Sequence, residues 1–414
     1  MSVEKKAPEI RFKAFDTNWL NYNLSQVTDV YDGTHQTPKY TKSGVMFLSA
    51  ENIKSLTSKK FISQKAFERE FDVYPQQNDV LMTRIGDVGT ANVVETNEKR
   101  AYYVTLALLK YKNLSPYFLK SSISSPFVQR DIWLRTLHIA FPKKINMNEI
   151  KQVSINCPSD PAESEEIGNY FQKLDSLISQ HQQKHDKLSS LKNAMLVKCF
   201  PKQGETVPEI RFKGFSGEWE DIGLLESIER VIDFRGRTPK KLGLNWSPSG
   251  YRALSALNVK QGYIDFSIDP HFGNQELYDK WMSGSELHLG QVLFTTEAPM
   301  GNVAQVPNAD KYILSQRTIA FVVKPKVITD AFLAVLLRSS KVFRELSALS
   351  SGGTAKGVSQ KALANLNILI PGGLDEQTAI GNYFQKLDTL INQHQQQIVK
   401  LTNIKQACLS KMFV

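Results

Sequence analysis

The chain has 414 residues, 41% hydrophobic and 10% aromatic, which is too long for one ordinary core and too apolar for wholesale disorder; two or more domains are expected. Its 51 Lys and Arg against 41 Asp and Glu give a formal charge of +10, which suits a polyanionic partner without demanding one. Three cysteines without a CxxC pair, an opening stretch without an apolar signal core, and no run of 18 apolar residues argue against a disulfide framework and a membrane span, so the sequence reads as soluble and cytoplasmic.

In chain order, PEIRFKAF (8–15) leads to Trp19, and short apolar runs such as GVMFLSA (44–50) and NDVLMTRI (78–85) read as strands. SPYFLKSSI (115–123) and SPFVQRDIWLR (125–135) each open with Ser-Pro, a helix start signal. The strand VSINCP (153–158) precedes a long helix. There Asp160 is placed to cap, Pro161 stands at the first helical position, and Glu163 is spaced for a capping box. Leu174, His181, Leu188 and Met195 follow every seven residues, with Leu177, Lys184, Leu191 and Lys198 three later and Ile178 beside them. After the linker PKQGETVP (201–208) the plan starts again with PEIRFKGF (208–215) and Trp219. LSALNVK (254–260) answers LSAENIK (48–54), QVLFTTEAPMGN (291–302) echoes DVLMTRIGDVGT (79–90), and LNILIP (366–371) precedes a second long helix.

The two helices are copies. Residues 167–200 and 380–413 align without gaps, 22 of 34 positions are identical, and both contain IGNYFQKLD. The second copy continues the seven-residue spacing with Leu387, His394, Leu401 and Cys408. A sustained heptad pattern asks for a partner helix, and the matched partner is the other copy. The short linker and a two-fold relation between halves make the pairing antiparallel. The expected fold is therefore α/β: two tandem α/β domains and two long helices pairing as an antiparallel coiled coil with pseudo-two-fold symmetry. The expected division is 1–158 and 201–372 for the domains, and 159–200 and 373–414 for the helices.

Catalytic motifs are missing. There is no GxxxxGK[ST] loop, GxSxG elbow, HExxH pair or Pro-Pro dipeptide. His181 and His185 have metal-like spacing, but Ile398 replaces the second His in the copy, so no metal is expected and His181 and His394 read as polar members of the helix seam. Cys157, Cys199 and Cys408 read as structural thiols.

Two variable units, each followed by a near-identical long helix, resemble the specificity subunit of Type I restriction–modification enzymes. The resemblance rests on the duplicated PEIRFKxF…W segments, the duplicated IGNYFQKLD…I helices, NDVLMTRIGDVG, and GGTAKGVS before NLNILIP. It implies a non-catalytic reader of double-stranded DNA, each unit reading one half of a split asymmetric target. It also implies partners: two modification (methyltransferase) subunits and ATP-dependent restriction/translocase subunits. No cofactor is expected in this chain; S-adenosylmethionine, ATP and Mg belong to those partners.

Base and phosphate contacts call for Arg, Lys, Asn, Gln, Ser and Thr on loops. The candidates are Thr34, His35, Gln36, Lys39, Arg84, Arg135, Lys143 and Lys144 in the first unit. In the second they are Arg235, Arg237, Lys240, Thr296, Asn302, Ser351, Thr354 and Lys356. Candidates for a helix or subunit interface are Tyr170, Phe171, Leu174, Ile178, His181 and Leu188, with Tyr383, Phe384, Leu387, Ile391, His394 and Leu401. The aromatic pairs Tyr170–Phe171 and Tyr383–Phe384 would pack on their own unit or meet a modification subunit. Two other readings stand against this one: a scaffold with two peptide-binding heads, and a self-contained nuclease.

Overall fold

The structure is a computed structural model and describes residues 7–350 and 357–414. The chain forms two compact units: one runs to His181 and takes in Gln397–Val414, and the other covers Gln182–Gln396.

In the first unit, Asp29–Asp32, Leu106–Lys110, Val80–Thr83 and Ala91–Val93 form an antiparallel sheet in that spatial order. A second sheet runs Tyr40–Thr41, Phe61–Ile62, Val45–Leu48, Arg100–Tyr102, its last pair parallel. Its two central strands, Val80–Thr83 and Leu106–Lys110, read as near-continuous apolar runs because both of their faces are covered. Val80, Met82, Ala107 and Leu109 enter a core built with helices Pro116–Ser124 and Pro126–Arg135, while Leu81 and Leu108 enter the core shared with the second sheet. Those two helices start where the Ser-Pro signals stand, and the Ser115 and Ser125 hydroxyls accept from the Phe118 and Val128 amides.

The second unit repeats this plan. Ile228–Asp233, Thr318–Val323, Val292–Thr295 and Val303–Gln305 form the four-stranded sheet, and Phe272–Gly273, Tyr251–Leu254 and Tyr312–Leu314 form the smaller one. Again alternate residues serve two cores: Val292 and Phe294 face one, Leu293 the other. In each unit a two-stranded ribbon ties the opening to the approach of the long helix: Trp19–Asn23 with Ser154–Pro158, and Glu220–Gly223 with Asn367–Ile370.

The long helices are Pro161–Lys198 and Leu374–Lys411, 38 residues each, or roughly 57 Å. Within each unit the start of one lies antiparallel beside the end of the other. In the first unit Tyr170 meets Cys408 at 3.6 Å, and Lys405 and Lys120 both bind the Asp175 carboxylate, at 2.5 and 2.8 Å. In the second, Lys192 and Arg338 bind Asp388, each at 2.5 Å. Asp388 is Asp175 shifted by the repeat, and Lys405 is Lys192 shifted by the same step. Burial pushes the Asp175 carboxyl up, but the two lysines outweigh it and hold it below the ordinary carboxylate range.

The ends of the long helices close aromatic clusters. Phe413 packs against Trp19, Phe118 and Phe171, with ring centroids 6.2, 5.4 and 5.6 Å away. Its repeat equivalent Phe200 packs against Trp219, Phe332 and Phe384 at 5.8, 6.0 and 6.3 Å. Each unit thus receives a Phe from the end of the helix that begins in the other half of the sequence.

The capping box expected at Glu163 does not form. Asp160 does cap, its Oδ1 accepting from the Ala162 amide at 2.9 Å. Glu163, fully buried, instead accepts two bonds of 2.6 Å from Arg11 and one of 3.2 Å from Trp19 Nε1. In the second unit Arg211 grips Glu376 in the same forked way, at 2.7 and 2.6 Å. The repeated PEIRF opening is therefore a clasp on the first turn of the long helix.

The glycine of IGNYFQKLD has an equally local reason. A Cβ on Gly168 would stand 2.4 Å from Ser115 Oγ and 2.8 Å from the Phe118 amide nitrogen, and on Gly381 it would stand 2.6 Å from Ala331 Cβ. At an open helical position Gly→Ala gains about 1 kcal/mol. Here the sign reverses: Gly168→Ala is expected to destabilise by about 1–3 kcal/mol, because backbone rather than a flexible tip must yield. Denaturant titration checks this, and a stabilised variant would refute the close approach.

Candidate nucleic-acid interface

Three segments of the first unit converge at one end of its antiparallel sheet, and Arg84 joins them. It is only 6% exposed. Its Nη1 donates to Asp32 at 2.6 Å and to the Val104 carbonyl at 3.3 Å, and its Nε donates to the Ile145 carbonyl at 3.3 Å. Asp32 also holds His35 Nε2 at 2.9 Å. Arg84 therefore organises the site from inside, while the exposed side chains of His35, Gln36 and Lys39 form the outer surface of loop 33–39. Thr34 is pinned by its backbone, bridging Tyr103. Gly33 sits so close to Tyr103 that a Cβ would meet its carbonyl at 2.4 Å.

Residues 137–144 complete the group. Leu137 N donates to Lys144 O at 2.7 Å and Gly86 N to Lys143 O at 2.8 Å, leaving both lysine side chains exposed. Arg135 points elsewhere: Asp131 and Glu149 take its guanidinium at 3.0 and 3.2 Å. Between residues 86–88 and the helix Pro126–Arg135 with its following loop lies an open groove of about 510 Å³, lined by Asp87, Gln129, Arg130, Trp133, His138 and Lys143. Gln129, Arg130, Trp133 and His138 escaped the sequence reading, and the polar face of SPFVQRDIWLR was the signal for the first two.

In the second unit the loop after Val292–Thr295 has the same skeleton. The Thr83 and Thr295 hydroxyls accept from the Thr90 and Asn302 amides at 3.0 and 2.9 Å, so Thr296 holds the place of Arg84. Thr296 is buried and bound to the Arg317 carbonyl, and Asn302 donates to the Val259 carbonyl at 2.9 Å. Arg235 chelates Asp233, which also accepts from Gln360. Burial raises that carboxyl, but Arg235 outweighs it and leaves it below its ordinary range. Arg237 lies 4.3 Å over the Phe234 ring and donates to the Trp281 carbonyl. Lys240 is exposed at the edge of a 400 Å³ cavity with Trp246, Asp269, His271, Trp281 and Gln316. Ser351, Thr354 and Lys356 lie outside the described residues.

The helix candidates sit mostly in the units' own cores. Phe171, Leu174, Phe384 and Leu387 are buried. Tyr170 meets Phe12 at 6.0 Å and Tyr383 meets Phe212 at 5.4 Å, so the aromatic pairs pack on their own opening segments. Leu188 packs on the second core and Leu401 on the first, and Ile178, His181, Ile391 and His394 are half-buried. Among the described residues no His, Cys, Asp and Glu side chains form a metal-binding group of three or more, and no helix is long and apolar enough to cross a membrane.

Residues 235–403 match the family model described as "Type I restriction modification DNA specificity domain". Over residues 235–403 the chain is similar to this specificity family. A specificity subunit of the Type I restriction enzyme MjaVIII from Methanocaldococcus jannaschii is 25% identical over 357 residues, 83% of this chain and 79% of that protein. The crystal structure of a Type-I restriction-modification system S subunit from M. genitalium shares the fold, with a TM-score of 0.66, 13% identity and 99% coverage of both chains. The matched family's own description names DNA specificity. The sequence reading missed the residues that hold these loops in place, Asp32 above all. Its partners lie 52 and 3 residues away, and nothing local marks it.

Proposed function

We propose that this chain reads a split, asymmetric DNA target, one half with each unit, and directs adenine methyltransferase and restriction subunits to it. The observation that carries the proposal is a constant frame holding variable loops. The Arg11–Glu163 and Arg211–Glu376 clasps and the Asp175 and Asp388 ion clusters repeat between the units. The loop after the first strand of each four-stranded sheet differs, however: it reads GTHQTPK (33–39) in one unit and FRGRTPK (234–240) in the other. Identical frames present two surfaces in equivalent settings, and different surfaces select different half-sites. Double-stranded DNA fits the exposed Lys39, Lys143, Lys144 and Lys240, which supply phosphate contacts, beside Gln36 and His35 for base edges.

On this reading residues 1–158 and 201–372 are the target recognition domains, and 159–200 and 373–414 are the helices that fix the unspecified gap and dock two modification subunits. The chain itself is non-catalytic, and S-adenosylmethionine, ATP and Mg serve the partners. Single-molecule sequencing of adenine methylation, with and without the gene, tests the proposal. A motif of two defined halves around a fixed gap should vanish on deletion. Exchange of residues 17–150 should then alter one half only. A methylome unchanged by deletion, in cells with an active system, refutes it.

A further inference from the structure

The helix Pro126–Arg135 ends in a loop with an unusual crown. Its base is tied: Leu137 pairs with Lys144, Lys144 with Ile85, and Ile145 N donates to Arg84 O at 2.9 Å. Ile139 is 99% exposed and Phe141 104% exposed. Trp133, 60% exposed, lies beside His138 with ring centroids 4.7 Å apart. Lys143, Lys144 and Arg130 are exposed around them.

A single exposed apolar side chain is ordinary. Here two stand together, fully in water, on a loop whose base enters the core at Ile132 and Ile145. Burying a side chain of this size is worth about 1.5–3 kcal/mol, and the fold leaves that gain unused twice. An occupant must therefore offer an apolar slot, and the surrounding cations require that it be a polyanion. Duplex DNA meets both demands, with phosphates along its edges and stacked base steps within.

We infer that loop 137–144 is a wedge. Ile139 and Phe141 enter a groove of the first half-site and pry open a single base step, while Lys143 and Lys144 engage the flanking phosphates. The inference rests on the DNA-reading function proposed above and adds a mode of selection to it. A base step that unstacks readily, such as a pyrimidine–purine step, is accepted at lower cost than a stiff one, so the unit discriminates by deformability as well as by contact.

The test uses the full chain assembled with its modification subunits, and a duplex carrying the motif found by methylation sequencing. The fluorescent base 2-aminopurine is placed at each position of the first half-site in turn. Wild-type complex should raise its fluorescence at one step. The Ile139→Ser/Phe141→Ser variant, whose altered side chains lie in solvent, should abolish that rise and bind about tenfold more weakly or worse. Its dependence of log affinity on log salt should be unchanged, because no cation is lost. Phe141→Trp should keep the response. An unchanged fluorescence, or a double variant that binds like wild type, overturns the wedge. So does a double variant that fails to assemble with its modification subunits, which would make the loop a subunit contact. If wild-type complex does not bind the motif at all, the DNA-reading function itself falls.

Discussion

Phe413→Ala is expected to lower the stability of the first unit by about 3–5 kcal/mol, the range for removing a large aromatic from a core. The ring is 7% exposed and touches Trp19, Phe118 and Phe171, so its loss opens a cavity lined by three aromatics that the surrounding backbone holds apart. At roughly 2–4 °C per kcal/mol for a unit of this size, the first unit should melt roughly 6–20 °C lower. Two units need not melt together, so the measurement is hydrogen exchange read separately in each. Amides of the ribbon Trp19–Asn23 and Ser154–Pro158 should lose protection, while those of Val292–Thr295 should not. Equal loss in both units, or none in either, would show that Phe413 is not the first unit's closing residue. Phe200→Ala should produce the reverse pattern.

The second large effect belongs to the clasp. Arg211→Ala leaves the Glu376 carboxylate, 4% exposed, without the guanidinium that supplies two of its hydrogen bonds. Breaking a buried pair from one side costs about 3–5 kcal/mol, because the remaining charge has lost its solvent and its partner. Replacing both members with apolar residues of similar volume, Arg211→Met with Glu376→Leu, should recover most of the loss, since that substitution also removes the stranded charge. Arg211→Lys should fall between, keeping the charge but losing the planar fork. Chemical denaturation of the four proteins decides. A double variant as unstable as Arg211→Ala would mean that the clasp acts through shape and not through charge compensation.

These clasps also mark where sequence reading stops. The long helices, their heptads and their antiparallel pairing were legible because 3.6-residue periodicity and a gapless repeat are properties of contiguous sequence. The central strand Val80–Thr83 was legible because both of its faces are buried and its run is therefore apolar. The capping box at Glu163 is the instructive failure: the local spacing was right, yet the carboxylate is used by Arg11, 152 residues away. Arg84 and Thr296 follow the same logic. Glycines around them mark a loop, and loop residues are read as exposed, but both point inward and hold the loop from beneath. Ile139 and Phe141 were missed for the opposite reason. Apolar side chains are assumed to be inside, and only the folded structure reveals the ones that are not.

The placement of Phe413 bears on how the chain is made. A ribosome that has completed the first unit's sheets must still translate all of Gln182–Gln396 before it reaches the helix end that fills the aromatic cluster. At about 5–20 residues per second that takes roughly 10–40 s. Throughout this time Trp19, Phe118 and Phe171 lack their fourth ring, whereas Phe200 emerges before the cluster it will complete. The half of the protein that is synthesised first is therefore the half that finishes folding last. A nascent chain that breaks off anywhere in the second half is left with an open aromatic cluster, the kind of surface that chaperones and proteases recognise.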